Sequence, residues 1–476
     1  MADVVTESEA DVAVIGGGPA GLHAALVLAR GGLSVVLLDE SDTLGGQYYK
    51  RRAEQLTAAF GDFRPRGTEL IRQVRESGVD CRTGTLVWGA EDDGHTLFTS
   101  DVHTGALGQV RTRATLAATG AYERTLPFPG WTLPGVVTPG FALHLATMDR
   151  VPVGRRVVLA GTGPFLLPVA CALLEAGAGI EALVELNHPY RPGVSSIGGA
   201  LRQPARLAEA ARYLLTLARH GVRVEQGARV VAAHGDTQVT AVDIAGADGG
   251  VRRVETDALC VGFGFRPSTE LPRLLGCRTE PDPTGTEQLP VVDADGATSV
   301  DGLYVAGDCA GIAGVHAAGV RGQLAAHAIL RRLAPERAPV RVAGLRRRAR
   351  ALDRFAELAD RLYPLPALAD LADTTQVCRC EGVTAGEIRQ AVATGWNDLH
   401  GTKAATRAGM GPCQGRECGH IVAALAARGS GPDREPECLA AREPECFAAR
   451  MPLRPLPMAT TVEAAEAVEG REVADR

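Results

Sequence analysis

Asp11-Val-Ala-Val-Ile15 is followed by Gly16-Gly-Gly18-Pro19-Ala20-Gly21 and then by Leu22-His-Ala-Ala-Leu-Val-Leu-Ala-Arg30. After two more glycines comes Ser34-Val-Val-Leu-Leu38, ending in Asp39-Glu40. An apolar strand, a glycine turn, a small-residue helix, a second apolar strand and an acid form the opening of a dinucleotide-binding fold. The spacing explains why these glycines are needed. Gly16 makes the tight turn, Gly18 lets backbone approach a pyrophosphate, and Gly21 brings helix against strand. Pro19 and Ala20 then open the helix whose free N–H groups and dipole favour the diphosphate. Asp39 is placed to accept from a ribose hydroxyl.

A second such series starts at Arg156, with Val157-Val-Leu-Ala160, Gly161-Thr-Gly163-Pro, an apolar helix to Ala176 and a strand ending at Glu185. Thr115-Leu-Ala-Ala-Thr119-Gly120 and Asp257-Ala-Leu-Cys-Val-Gly262 are matching strands that run into glycine turns. Gly302-Leu-Tyr-Val-Ala306 leads into Gly307-Asp308 and a Gly/Ala-rich helix reaching about Leu333. The order predicts a discontinuous first domain with the second inserted in it. Its parts are residues 1–150 and 286–335, and the insert is 151–285. An amphipathic linker helix is expected within 336–373, with Leu345, Leu352, Phe355, Ala359 and Leu362 on one face and its arginines in solvent. A compact unit follows at 374–428, then a Pro- and Glu-rich tail, 429–476, carrying the duplication Arg434-Glu-Pro-Glu-Cys-Leu-Ala-Ala and Arg442-Glu-Pro-Glu-Cys-Phe-Ala-Ala.

Composition narrows the classes of function. The 476 residues suit about three domains, and 45% hydrophobic content fills several cores. Fifty basic and 56 acidic residues leave a net charge of −6, with only a short run at Arg346–Arg350, so no nucleic-acid partner is expected. The uncharged stretch 157–174 is broken by Gly-Thr-Gly-Pro, and the acidic N-terminus lacks a signal-peptide pattern. No transmembrane segment is expected, and a cytoplasmic protein is, with membrane association only through an electron acceptor. Eleven cysteines then point to metal or redox use.

Four of them carry the strongest signal. Cys378-Arg-Cys380 is followed, after 32 intervening residues, by Cys413-Gln-Gly-Arg-Glu-Cys418, a segment short enough to gather all four thiolates. A [2Fe–2S] cluster takes two thiolates on each iron. Four-cysteine zinc is the rival, although the one-residue gap of Cys378 and Cys380 is unusual for it. Thr384-Ala-Gly-Glu387 reads as a capping box opening a helix that Gly395 closes. Arg379, Arg407 and Arg416 are close enough in sequence to offset cluster charge. Cys81, Cys171, Cys260, Cys277 and Cys309 stand singly among apolar neighbours and read as packing. No cysteine follows Gly45-Gly46-Gln47 closely and the second unit has no CxxC, which argues against a disulfide reductase. His144, His188 and His316 are assigned no role.

The first site reads as FAD rather than NAD. Gly46 and Gln47 lie just past Asp39 and Glu40, and Asp308 begins a helix placed to hold the ribityl chain and to stabilise negative charge on the flavin. The second site is irregular, since Leu166 replaces the third glycine. NAD, another adenine nucleotide such as ATP, and an empty structural unit all stay open there. Glu185 suits a free 2′-hydroxyl.

The sequence resembles the large α subunits of heteromeric flavin dehydrogenases acting on amines and amino acids. That family includes the A subunit of opine oxidase, the B subunit of hydrogen cyanide synthase, and the α subunits of dye-linked proline and hydroxyproline dehydrogenases. Besides the motifs above, the matching stretches include Ala118-Thr-Gly-Ala-Tyr-Glu-Arg124, Pro127-Phe-Pro-Gly-Trp131 and Thr406-Arg-Ala-Gly-Met-Gly-Pro-Cys-Gln-Gly-Arg416. They span roughly residues 8 to 428; the duplicated tail departs from the pattern. The resemblance implies an α/β flavoprotein with two dinucleotide-binding domains, glutathione-reductase-like, plus a small helical BFD-like [2Fe–2S] domain. It also implies that the amine is oxidised on a separate β subunit with its own FAD, and that a small ferredoxin-like protein is a further partner. This chain would relay electrons. A self-sufficient NADH-dependent oxidoreductase and a scaffold with structural cofactors are the alternative readings.

Overall fold

The computed structural model describes residues 6–190, 204–282, 286–337, 342–366, 371–396, 398–428 and 447–457. The opening strand, Thr6–Ile15, pairs in parallel with Val35–Leu38 on one side and Leu107–Ala117 on the other. Asp80–Arg82 extends the sheet beyond Val35–Leu38, and Leu303–Val305 returns to pair with the end of Leu107–Ala117. A strand from each side of the insert therefore lies in one sheet, as the discontinuous first domain requires. Thr85–Glu91 and Thr96–Asp101 add an antiparallel edge.

The helices Pro19–Arg30 and Val315–Leu333 cover one face of this sheet. They approach closely because a Cβ on Gly322 would lie 2.2 Å from the Ala20 carbonyl oxygen. Leu22, Leu28, Leu37 and Leu116 are fully buried in this core. Each such side chain contributes about 1.5–3 kcal/mol through its removal from water. The opposite face buries Ala13, Ile15, Val36 and Leu38 in a second core.

The inserted unit has the all-parallel strand order Val224–Gln226, Gly179–Glu185, Arg156–Gly161, Ala258–Gly262, Val136–Val137. The expected boundary at residue 150 is too late. Val136 and Val137 already pair in this sheet, and Ala142 and Ala146 sit in its core. The return also precedes residue 286, since Leu271 packs in the first unit. Both crossings run through a two-stranded ribbon, Ala121–Glu123 against Phe265–Pro267, which ties the units together.

Ala343–Leu362 is the expected linker helix: Leu345 and Leu352 of the expected face pack half-buried beside buried Ala349, and Leu358 is buried as well. Its arginines are not simply solvated, because Arg346 pairs with buried Asp295 at 2.5 Å, beside Arg331. The C-terminal unit has its own core around Val377, Ile388, Leu399 and Ile421. Its first helix, Ala385–Ala393, carries the capping box, with Glu387 N donating to Thr384 Oγ1 and Thr384 N donating to Glu387 Oε2.

Candidate functional site

At the first glycine turn, each glycine has a distinct steric reason. A Cβ on Gly16 would lie 2.3 Å from the Ala118 carbonyl oxygen, and one on Gly21 would lie 1.9 Å from the Gly16 carbonyl oxygen. Gly18 is different: a Cβ there would meet only the Gly46 Cα, at 3.9 Å. The space over Gly18 is thus open on the side facing Gly46. The helix behind it starts at Pro19 and no side chain caps it, so its first-turn N–H groups are available to an anion. This open cradle fits a pyrophosphate.

Asp39 is buried and its two carboxylate oxygens accept from Gly17 N at 2.6 Å and Ser41 N at 2.8 Å, so it fixes the shape of the glycine turn. Glu40, the next residue, is exposed. Gly45 N donates to Gly17 O, which sets Gly46 across from Gly18, while Gln47 is exposed beside them. Asp308 Oδ1 accepts from Ala313 N and Gly314 N, both at 3.1 Å, and so shapes the approach to the helix Val315–Leu333. Gly307 takes φ +86°, and a Cβ there would press on Ala20.

The second turn follows the same plan but is filled differently. Buried Glu185 accepts from Thr162 Oγ1 at 2.7 Å, Gly163 N at 3.1 Å and Asn187 N at 3.0 Å. Its burial pushes the carboxyl up. Glu185 therefore holds its own turn, where the spacing alone points to a ribose. Gly161 sits so tightly that a Cβ would lie 1.8 Å from Gly262 O. Leu166 is buried, and Phe165 packs edge-on against Phe265 of the interdomain ribbon, ring centroids 5.3 Å apart. The chain's own linker lies beside this turn. Asn187 Nδ2 donates both to Thr162 Oγ1 at 2.8 Å and to Pro364 O at 2.9 Å, while Tyr190 and Tyr363 hydrogen-bond through their side chains. Burial pushes the Tyr190 phenol up to about 12.

In the C-terminal unit all four expected cysteines come together. Cys378 and Cys413 each hydrogen-bond to Cys418, and Cys380 hydrogen-bonds to Cys413. The bond to Cys418, helped by backbone N–H groups of Gly409 and Glu381, lowers Cys378 to about 6. The Cys418 bond, with N–H groups of Glu417 and Gly415, lowers Cys413 to about 5. Two thiolate-stabilising positions beside two further thiols suit a group bound by four sulfurs. Among the described residues no three His, Cys, Asp or Glu surround a single-ion position. Of the single cysteines, Cys171, Cys260, Cys277 and Cys309 are buried and Cys81 is half-buried, as packing requires.

Arg416 and Tyr122 join the two sites, a connection that sequence reasoning missed. Thr119 Oγ1 donates to Ser268 O, and Ser268 N donates to Gly120 O. Ser268 Oγ donates to Tyr122 OH at 3.2 Å, and Arg416 Nε donates to the same hydroxyl at 3.2 Å. Arg416, nearly buried, also pairs with Glu270 at 2.9 Å, and its carbonyl accepts from Arg266. Of the other two arginines, Arg407 pairs with Glu381 and Arg379 lies over Trp131. Trp131 Nε1 in turn donates to Gln376 O at 2.7 Å. Tyr122 and Arg416 both fall within stretches that carry the family resemblance, which was the available signal.

Residues 10–329 match the model of the pyridine nucleotide-disulphide oxidoreductases, covering well over half of the chain. The chain belongs to the pyridine nucleotide-disulphide oxidoreductase family. Within this oxidoreductase, residues 376–428 match the BFD-like [2Fe-2S] binding domain, which selects the iron–sulfur reading over zinc. The cofactors of these two modules are FAD and a [2Fe–2S] cluster. The chain is 37% identical to the A subunit of opine oxidase from Rhizobium meliloti over 88% of this chain and 92% of that one. It is 35% identical to the hydrogen cyanide synthase subunit HcnB of Pseudomonas aeruginosa, over 85% and 90%. L-proline dehydrogenase from P. horikoshii shares the fold, with a TM-score of 0.68 and 22% identity over 96% of this chain and 80% of that one. The expected resemblance and fold class are thus borne out.

Proposed function

We propose that this chain is the FAD- and [2Fe–2S]-containing electron-transfer subunit of a heteromeric amine or amino-acid dehydrogenase or oxidase. The observation that carries the reading is the hydrogen-bonded contact from Thr119 and Gly120 through Ser268 and Tyr122 to Arg416 in the loop between Cys413 and Cys418. A flavin accepts electrons in pairs and an iron–sulfur cluster carries them singly. In this reading Gly16, Gly18, Pro19, Ala20 and Gly21 hold the pyrophosphate, Asp39 serves the ribose, and Glu40 stands beside it. Gly46, Gln47, Thr119, Gly120, Gly307 and Asp308 line the rest of the flavin's cleft. Cys378, Cys380, Cys413 and Cys418 hold the cluster. The chain is thereby divided into a FAD domain in two portions, the insert between them, the linker helix and the cluster domain.

In this reading, as the family resemblance implies, the amine is oxidised on a companion β subunit with its own FAD. The names of the relatives, each a subunit, support a heteromer. A cytoplasmic location is part of this reading; among the described residues no helix is long and apolar enough to cross a membrane. The test is turnover with dye as acceptor. The isolated chain is expected to oxidise no opine or amino acid at a useful rate, and the companion protein is expected to restore dye reduction. Robust amino-acid oxidation by the isolated chain would overturn the relay model.

The self-sufficient NADH reading has less support, because Pro364 and Tyr363 stand beside the residues that would face the nucleotide. Gly161, Gly163 and Glu185 serve there to shape the insert and seat the linker.

A further inference from the structure

Residues 447–457 begin inside the second copy of the duplicated octapeptide and run across both cofactor-binding units. Phe447, the aromatic residue of that copy, lies on the cluster unit. Cβ atoms on Gly409 or Gly415 would come within 2.5 Å of its ring, so these glycines, which flank Cys413, make the groove it occupies. Lys403 Nζ lies 4.8 Å from the ring centroid. From the first unit, Arg273 Nη2 donates to Phe447 O at 2.5 Å.

Six residues further on, the segment is anchored in the FAD domain. Leu453 is buried in the core that contains Ile15, Leu38 and Ala117, and its N–H donates to Trp88 O at 2.6 Å. Arg416 of the cluster loop donates to Leu453 O at 2.6 Å. Arg454 then donates to Tyr122 OH at 3.1 Å and pairs with Glu40 at 3.4 Å. One short segment therefore touches the cluster loop, the interdomain ribbon and the acid next to the FAD turn.

We infer that residues 447–457 form a clasp that fixes the cluster domain against the FAD domain, with Phe447, Leu453 and Arg416 as positioning residues. The apolar anchors supply the grip: one aromatic ring on the cluster side and one leucine in the FAD-side core. Arg416 of the cluster loop sets the register by hydrogen bonds that need both units in place, and Arg454 ties the segment to the FAD side at Tyr122 and Glu40. The first copy of the repeat does not fit this role. An eight-residue slip would put Leu439 at the ring's position and Glu445 at the position of Leu453, burying an unpaired carboxylate. The consequence for electron transfer rests on the relay reading above; the mechanical role does not.

The experiment uses full-length holoprotein carrying Phe447→Ala, with Arg454→Ala as a milder second variant at a half-buried position. FAD, iron and sulfide contents, the cluster's potential and EPR spectrum, hydrogen exchange, and the rate at which reduced flavin passes one electron to the cluster are measured. Both variants are expected to keep their cofactors, potential and spectrum. Exchange should rise in 85–91 and in the 413–419 loop, and cluster reduction should slow by about tenfold for Phe447→Ala, since a small misplacement is costly to a positioned reaction. Unchanged exchange in both variants would overturn the clasp. Loss of iron from Phe447→Ala would also overturn it, by making the segment part of the cluster's own fold. If reduced flavin fails to reduce the cluster in the unaltered protein, the relay reading fails, and the exchange measurement still decides the clasp.

Discussion

Gly18→Val separates what the polypeptide needs from what the cofactor needs. Gly18 has φ −77° and ψ −173°, extended backbone open to any residue and suited to the position before Pro19. The nearest atom to an added Cβ is the Gly46 Cα at 3.9 Å, an ordinary van der Waals distance. The apo protein should therefore change in stability by no more than about 0.5 kcal/mol. The two extra methyl groups fill the open side of the cradle, so FAD should be lost. At free FAD of about a hundred times its dissociation constant, binding stabilises the native state by about 2.7 kcal/mol. At about 2–4 °C per kcal/mol for a unit of this size, the variant should melt roughly 5–10 °C below wild-type holoprotein, yet together with wild-type apoprotein. The assay is FAD released on denaturation, with thermal unfolding of three samples: holo, apo and variant. Full FAD occupancy in Gly18→Val would refute the assignment of the cradle. A variant that melts well below apoprotein would show that Gly18 serves the fold instead.

Gly322→Ala should act oppositely, since its Cβ would lie 2.2 Å from Ala20 O; forcing the two helices apart should cost about 1–3 kcal/mol, read as a lower melting temperature even without FAD. Cys413→Ser should lose iron and sulfide while FAD stays at one per chain, because the two sites have separate cores; simultaneous loss of flavin would show that the sites fold as one. Anaerobic mixing with NADH should leave the flavin absorbance unchanged on the timescale of turnover, because the linker backbone at Pro364 is bonded to Asn187 beside Glu185; rapid bleaching would restore the NADH-dependent reading.

The local chemistry of this chain is legible where a motif constrains its own neighbourhood. Gly16 and Gly21 are needed for close approaches that the spacing alone implies, and the capping box at Thr384 and Glu387 is complete within four residues. The four cysteines converge because a helical unit with its own core brings two short loops together. What the sequence conceals are partnerships across long separations. Asp39 and Glu185 each supply the acid expected at the end of the second strand of a series, yet pattern does not show that each also accepts from its own glycine turn, through Gly17 N and Gly163 N. Val136 and Val137 are too short a strand to outweigh the strong series at 156, so the pattern places the entry into the insert too late. Arg416 has the sequence position of a counter-charge for the cluster, but its side chain reaches Tyr122, Glu270 and Leu453 O, groups separated from it by 37 to 294 positions along the chain. Those contacts turn two independently recognisable cofactor modules into one unit. The irregular second nucleotide turn is part of the same arrangement: Phe165 packs against the ribbon and Pro364 O accepts from Asn187, so this surface of the insert helps to hold the modules in register.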